Sequence, residues 1–314
     1  MGRFIVRRIL TAIPVLFLVS LMTFGLIQLV PGDPAVVIAG QEASAAELAR
    51  VRELLQLEAP WYWRLLSWYG RLLQGDLGQS FTLGRSVAEA IVERAPVTFG
   101  LAIFAMIITL IVGLTAGIVA ALKQNSWVDG ALMVLALVGV SLPNFWLGIM
   151  FIFVFAVELG WLPSGGYVGP TESVVGWLRS LVLPSVSLAL LQMGLLARIT
   201  RSSMIEVLRQ DYVRTARAKG LPGWKVVGKH AFRNVLVPVV TVIGIIFSLL
   251  LAGAVVIETV YSLPGIGRLV VSGIARRDYP VIQGSLLVIA TTCVLLNIVV
   301  DILYAYIDPR VRYD

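Results

Sequence analysis

Six long stretches of the chain contain no Asp, Glu, Lys or Arg, and they restrict the possible folds more than any other feature. They cover residues 9–30, 95–122, 130–157, 180–197, 234–257 and 279–300. A helix needs about 20 apolar residues to cross about 30 Å of hydrocarbon, and a charge at its centre costs about 2.5–3.5 kcal/mol. The sequence therefore predicts an all-α integral membrane protein with about six transmembrane helices.

The composition excludes several other classes of protein. Of the 314 residues, 58% are hydrophobic and 14% are charged, and the mean hydropathy is +0.90. A soluble domain of this size would need far more polar surface, so the net charge of +7 does not indicate nucleic-acid binding here. A single cysteine, Cys293, and a single histidine, His230, exclude an internal disulfide and a metal cluster built from those residue types.

The basic residues predict how the chain is oriented, because short cytoplasmic loops are enriched in Lys and Arg. With the N-terminus on the cytoplasmic side, 15 of the 25 basic residues but only 6 of the 18 acidic residues fall on that side. We therefore expect both the N-terminus and the C-terminus to be cytoplasmic.

The spans divide the chain into two parts. Residues 1–94 are expected to form the first transmembrane helix plus outer interfacial helices, and residues 95–314 a core of five transmembrane helices. Ser44 and Glu47 have the spacing of a capping box, and five Trp and Tyr residues lie between positions 61 and 69, as at a membrane interface. A collar around a pore entrance and simple interfacial packing explain these outer helices equally well.

A cytoplasmic loop, residues 198–234, is far longer than a connection between two spans requires, and it carries nine basic residues. Within it, a short helix is predicted from Asp211 to Gly220, where a left-handed glycine closes the helix before Pro222.

One side of this predicted helix carries only small residues. Val213, Ala216 and Gly220 would form a smooth stripe flanked by cations, which suits docking into a groove on another protein. A basic loop held against anionic lipid explains the same residues, and the residues alone do not decide between the two.

Two segments of the loop, Tyr212-Val-Arg-Thr-Ala-Arg-Ala-Lys-Gly220 and His230-Ala-Phe-Arg-Asn-Val-Leu-Val-Pro238, match a known pattern. They resemble the signature loop of ABC-importer permeases, and more narrowly the dipeptide, oligopeptide and nickel permease family. Importer permeases generally begin this loop with Glu-Ala-Ala, whereas this chain has Arg214, Thr215 and Ala216. The missing glutamate and a gap five residues longer are both usual in the peptide branch.

Further segments match the same family in the same order along the whole chain. They are Pro31-Gly-Asp-Pro34-Ala35, Gly75-Asp-Leu-Gly-Gln-Ser80, Ser141-Leu-Pro-Asn-Phe-Trp-Leu-Gly148, Glu258-Thr-Val-Tyr-Ser-Leu-Pro264-Gly-Ile-Gly267, Asp278-Tyr-Pro280 and Asp308-Pro-Arg310. Residues 157–163 are especially similar to glutathione-importing members.

The resemblance implies a permease in the cytoplasmic (inner) membrane of a bacterium or archaeon that imports short peptides or related solutes by alternating access. Its partners would be a second homologous permease, two cytoplasmic ATPase subunits that bind ATP and Mg, and an external solute-binding protein. This chain itself would bind no cofactor and catalyse no reaction.

The family also implies roles for particular residues. The residues expected to couple to the ATPase are Tyr212, Arg214, Thr215, Ala216, Arg217, Lys219, Gly220, His230, Arg233, Asn234 and Pro238. The outer-loop residues expected to face the binding protein are Asp33, Asp76, Glu258, Tyr261, Pro264, Gly265, Gly267 and Asp278.

A few polar residues lie in or near the spans. Asn144, Gln192 and Asn297 could line the transport route, although hydrogen bonding between helices explains them equally well. Asp301, at the end of the last span, is expected to pair with an arginine or reach the headgroups rather than form a proton or substrate site.

The sequence supports three other functions less well. An ion-coupled secondary transporter or channel is the main alternative, but such proteins usually carry ionisable groups near the bilayer centre, where all six stretches lack them. A membrane enzyme is disfavoured because no triad or paired intramembrane carboxylates occur. Residues 223–230 nearly match a P-loop, but no strand is predicted before them, so ATP would bind to other subunits.

Overall fold

The computed structural model describes residues 2–29, 35–36, 43–54 and 59–307, and the regular elements in this part of the chain are helices. The helices are α1 Gly2–Leu29, α2 Ala45–Leu54, α3 Trp61–Leu73, α4 Val87–Leu122, α5 Trp127–Ser141, α6 Asn144–Glu158, α7 Val174–Leu208, α8 Asp211–Ala218, α9 Gly223–Val260, α10 Ile266–Ala275 and α11 Tyr279–Ile307. Helices α6 and α9 include π-helical turns, at Ile152–Glu158 and Val226–Ala231.

The prediction of about six transmembrane helices is confirmed. Within the described residues, α1, α4, α7, α9 and α11 are each long and apolar enough to cross a membrane, and α5 with α6 forms a bent pair that passes the same test. The cytoplasmic position of both termini stays a prediction. The boundary predicted at residue 94 falls inside α4, which begins at Val87.

The apolar composition predicted one continuous helix over residues 130–157 for the third span. The structure differs from this prediction. The span breaks between α5 and α6, whose axes differ by 102°. Proline has no backbone N–H to donate and restricts the residue before it to extended conformations. Leu142 is extended, with φ −92° and ψ 133°, and Pro143 caps the start of α6.

Helix α7 lies at the centre of the fold. It packs along α4 over much of its length and also contacts α5, α6 and α9, while α11 packs against α9 and α1. The fully buried side chains of the main core include Leu101, Leu188, Leu196, Ile246 and Ile257. The predicted fourth span, residues 180–197, is therefore the middle of a 35-residue helix whose final turns extend into the predicted loop.

The outer helices of the N-terminal part pack on the spans. Trp68 of α3 contacts Phe24 of α1, and the hydroxyls of Tyr69 and Ser20 lie 2.7 Å apart. At the start of α2 the predicted capping box is present, because Ser44 N–H donates to Glu47 over 2.8 Å. This bond and that from the Ser44 hydroxyl lower the pKa of the Glu47 carboxyl. The opening motif at residues 31–34 and the tail motif at 308–310 lie outside the described residues.

Candidate functional site

The short helix α8, in the loop predicted to be cytoplasmic, is attached almost directly to the end of α7. Only Arg209 and Gln210 separate the two helices. Val213 is fully buried and Ala216 is 6% exposed, and with Val226 of α9 they form a small apolar cluster. Three half-buried residues complete this cluster, Val207 and Leu208 at the end of α7 and Leu221 after α8. The helix is thus held by the end of α7 and the start of α9.

This packing corrects one prediction from the sequence. The sequence left docking into another protein and contact with anionic lipid as alternatives for the stripe of small residues, but Val213 and Ala216 face the chain's own helices. The docking interpretation is therefore wrong for these two residues, and Ala216 holds α8 in place. Small side chains occur here because α8 approaches α7 and α9 closely.

The opposite face of α8 is exposed and mostly cationic. Tyr212 is 44% exposed, and the side chain of Arg214 is 75% exposed. Thr215, Arg217 and Lys219 are also exposed. The ion pair between Arg214 and Asp211 is solvent-accessible at 3.3 Å and contributes little to stability. These side chains are free to meet a partner without rearrangement of α8.

The end of α8 is closed by the glycine that the sequence singled out. Gly220 has φ +73°, a left-handed conformation that glycine adopts without steric cost. Its N–H donates to the carbonyl of Arg217 over 2.9 Å, and the N–H of Leu221 donates to Ala216 over 3.4 Å. These two bonds form a Schellman motif, and the contact between Leu221 and Ala216 completes it.

The second half of the predicted loop joins α8 through a polar contact. The side-chain amide of Asn234 donates to the Tyr212 hydroxyl over 3.0 Å and to the carbonyl of His230 over 2.9 Å. The residues singled out at 212, 230 and 234 therefore lie together, whereas Arg233 and Pro238 lie exposed on α9. Residues 223–230 belong to α9, so their backbone does not form the loop that a P-loop requires.

Most of the outer residues expected to face a binding protein are buried in this chain. Glu258, Tyr261 and Asp278 are 0%, 1% and 3% exposed, and Gly265 and Gly267 are also buried. These five residues therefore present little surface to a partner, and the prediction that the loops carrying them face a binding protein stays a prediction. The remaining members of the set are Asp76 and Pro264, which are exposed, and Asp33, which lies outside the described residues.

Glu258 instead joins three helices. Its carboxylate accepts a hydrogen bond from the Thr98 hydroxyl of α4 over 2.5 Å and from the N–H of Arg268 over 2.9 Å. The Thr98 hydroxyl in turn accepts from the N–H of Ile266 over 2.8 Å. Glu258 and Thr98 therefore satisfy the free N–H groups at the start of α10, where the helix dipole favours a negative charge.

Asp278 and Tyr261 have similar bridging roles. The Asp278 carboxylate accepts from the Ser80 hydroxyl over 2.6 Å and from the N–H of Thr82 over 3.0 Å, which ties the turn before α4 to the start of α11. The Tyr261 hydroxyl lies 2.8 Å from that of Ser187 and donates to the carbonyl of Gly148 over 3.1 Å. These buried residues hold together, by hydrogen bonds between separate elements, the end of the fold that is predicted to face outward.

Comparison with known families decides what kind of protein this is. The family model "Binding-protein-dependent transport system inner membrane component" matches residues 113–313, and the model for the N-terminal part of such membrane components matches residues 1–102. The chain belongs to this family. It is a transport permease subunit and a multi-pass protein of the bacterial cytoplasmic membrane, as the sequence motifs predicted.

Similar proteins cover the permease from end to end. A putative peptide transport system permease protein of Brucella abortus (strain 2308) is 52% identical over 100% of both chains. The dipeptide transport system permease protein of Alkalihalophilus pseudofirmus is 45% identical over 98% of both chains. The glutathione transport system permease protein of Escherichia coli O6:H1 is 44% identical over 100% of both. The predicted resemblance to the peptide branch is thus confirmed.

A solved structure shares the fold of the permease. A chain of the inward-facing methionine ABC transporter MetNI superposes with a TM-score of 0.59 at 16% identity. The match covers 69% of the permease and 95% of that chain. At this identity the likeness establishes the fold of the helical core.

The polar residues of the spans have mixed positions in the permease. Gln192 is 4% exposed, Asn144 is half-buried and Asn297 is exposed. Neither the Asn144 Oδ1 nor the Gln192 Oε1 atom has a hydrogen-bond partner in the described part of the chain. Their role in the transport route stays a prediction. The interpretation of Asp301 is confirmed, because it pairs with Arg8 of α1 at 3.2 Å.

Sequence reasoning missed one ion pair of the permease, between Asp129 of α5 and Arg201 of α7. The Arg201 Nε atom donates to Asp129 Oδ1 over 2.6 Å and its second nitrogen donates to Oδ2 over 2.7 Å. Asp129 follows Ser126 at the spacing of a helix cap, and that local role is also present. Nothing local to either residue indicates a partner 72 positions away.

Proposed function

We propose that the chain is the permease subunit of an ATP-driven importer for short peptides and related solutes such as glutathione. Three similar full-length proteins are described as peptide, dipeptide and glutathione transport permeases, which supports this class of substrate. A second homologous permease would complete the pore, and an external binding protein would deliver the solute.

The observation that carries the proposed ATP coupling is the position of α8. An isolated eight-residue helix is unstable in water, yet this one is closed by Gly220 and packed on α7 and α9. A helix that is rigid on one side and exposed and cationic on the other can seat in a groove of a partner subunit. We assign that partner as an ATPase pair that binds ATP and Mg and whose closure moves α8 and switches the pore.

Reconstitution tests the proposal. The tagged chain would be purified in mild detergent with its bound subunits and placed in proteoliposomes together with the external binding protein of its own system. We expect uptake of a labelled dipeptide that requires hydrolysable ATP and is insensitive to a protonophore. Purification without an ATPase, or uptake that follows an ion gradient, would instead support a secondary transporter.

A substitution at the end of α8 tests its role in coupling. In Gly220→Val, the left-handed conformation costs about 1–2 kcal/mol for an L residue, and an added Cβ meets no atom within 4 Å. We therefore expect opening of the helix end without loss of folding. The measured result should be less peptide imported per ATP hydrolysed, at normal levels of the assembled complex.

The matched control is Gly228→Val. Gly228 is exposed in a helical turn of α9 and also has open space around an added Cβ. Helical backbone accepts valine at least as well as glycine, so this variant should behave as the unmodified protein. An unchanged ratio of uptake to hydrolysis in Gly220→Val would remove α8 from the coupling mechanism.

A further inference from the structure

The ion pair between Asp129, which is buried, and Arg201, which is half-buried, has a geometry that holds two helices in one register. The guanidinium of Arg201 meets both carboxylate oxygens of Asp129, and this bidentate arrangement fixes orientation as well as distance. Asp129 is 4% exposed, and its Oδ2 atom also accepts from the N–H of Asn125 over 3.0 Å. The pair therefore ties α5 and the turn before it to α7.

The pair lies close to the attachment of α8. Arg201 is seven residues before the end of α7 at Leu208, and α8 begins three residues later at Asp211. Since Val213 and Ala216 pack on Val207 and Leu208, a displacement of α8 acts directly on the end of α7.

On the N-terminal side of Arg201, the backbone of α7 is in close contact with α4 and with α5. A Cβ atom added to Gly117 of α4 would lie 2.6 Å from the carbonyl oxygen of Ala197 in α7. A Cβ atom added to Gly194 of α7 would overlap the carbonyl oxygen of Ala136 in α5. At these contacts backbone meets backbone, with the side chains of Thr200 and Val140 packed beside them, so the helices cannot slide without steric overlap.

The far end of α5 is the break before α6. Leu142 is extended, and Pro143 supplies no N–H to continue the hydrogen bonds of α5. The block formed by α4, α5 and the second half of α7 is therefore continuous from α8 to this 102° bend and ends there.

We propose that the Asp129–Arg201 pair is a positioning link that makes α5 follow α7 when α8 is displaced, so that coupling reaches the bend at Leu142–Pro143. This inference rests on the proposed ATP coupling through α8. The backbone contacts prevent sliding, and the ion pair prevents the cytoplasmic ends of α5 and α7 from separating.

Energetics favour a positioning role over a role in stability alone. An ion pair with a buried carboxylate offsets the cost of removing that charge from water only in part, and a well-packed hydrophobic pair in its place is often as stable. What an uncharged pair lacks is the charge-assisted two-point contact that resists separation of the helices.

The experiment compares four variants in the reconstituted complex. They are Asp129→Asn, Arg201→Gln, the neutral double variant Asp129→Asn with Arg201→Gln, and the swapped double variant Asp129→Arg with Arg201→Asp. The control is Arg198→Gln, which removes an exposed cation from the same helix. The readout is peptide imported per ATP hydrolysed, normalised to assembled complex.

We expect the neutral double variant, which leaves no unpaired buried charge, to assemble but to lose about fivefold or more in this ratio. The swapped variant should recover part of the loss, and the control should be unchanged. A neutral double variant with the normal ratio would overturn the proposal, and so would a swapped variant no better than the single ones. A failure of all double variants to assemble would also overturn it, because the pair would then serve folding.

The result separates this inference from the proposed function. If the proposed function is wrong, the unmodified protein itself will show no ATP-dependent uptake. If only the inference is wrong, the unmodified protein will show ATP-dependent uptake and the variants will give one of the overturning results above.

Discussion

Replacing Gly194 with valine will prevent the permease from accumulating in the membrane as a folded protein. The Cβ atom would overlap the backbone carbonyl oxygen of Ala136 and lie 3.0 Å from the side chain of Val140. Backbone cannot move aside as a side chain can, so α5 and α7 must separate. Overpacking of a core side chain costs about 1–3 kcal/mol, and we expect this substitution to exceed that range. Membrane-fraction immunoblots and tryptophan-fluorescence melting of any purified protein measure the effect.

The control for Gly194 is a glycine of α5 with open space. A Cβ atom added to Gly130 meets no atom within 4 Å, so Gly130→Val should accumulate and melt as the unmodified permease does. The variant Gly117→Val tests the equally close packing of α4 on α7, where the added Cβ would meet the Ala197 carbonyl oxygen, and should behave as Gly194→Val. Normal accumulation and melting of Gly194→Val would show that α5 and α7 do not approach as closely as the structure has them.

Replacing Glu258 with alanine will destabilise the outer end of the permease by about 3 kcal/mol or more. The substitution removes the acceptor for the Thr98 hydroxyl and the Arg268 N–H, and hydrogen bonds to a charged group contribute about 1.5–3 kcal/mol each. It also leaves a cavity next to Gly265, whose lack of a side chain gives the carboxylate its space. The melting temperature of the purified permease should fall well below that of the unmodified protein.

Two variants test whether the effect of Glu258→Ala comes from these hydrogen bonds rather than from the loss of a carboxylate in general. Glu89 is exposed near the outer end of α4, so Glu89→Ala should leave the melting temperature unchanged. Thr98→Val removes the partner hydroxyl, and combined with Glu258→Ala it should cost less than the sum of the two single variants. Additive costs would mean that Thr98 and Glu258 stabilise the permease independently.

Local patterns predicted the helices that depend on local chemistry. Long charge-free stretches located the spans because a charge in hydrocarbon is costly wherever the chain folds. The α8 helix, its closure at Gly220 and the cap at Ser44 and Glu47 were also predictable, since each depends on hydrogen bonds between residues a few positions apart. Pro143 is likewise a local signal for the break before α6, but the uninterrupted apolar composition around it predicted a continuous helix.

Predictions about which side of an element faces a partner failed where they needed the packing of distant helices. A stripe of small residues has the same appearance whether it meets another protein or the chain's own helices. For Val213 and Ala216 the neighbours are Val207, Leu208 and Val226. Polar residues in an outer loop are usually solvated, yet Glu258 is fully buried because Thr98 and the start of α10 supply its donors.

From the sequence, motifs indicated a membrane permease of the peptide branch, and local patterns located the spans and both ends of α8. The spans and α8 follow from hydropathy and from interactions within a few residues, whereas the branch was indicated by the resemblance of the motifs. Only the tertiary structure decided which face of α8 is exposed, that Glu258 and Asp278 hold the outer end together, and that Asp129 pairs with Arg201. Each of these depends on atoms from segments far apart in sequence, and no pattern within one segment encodes that distance.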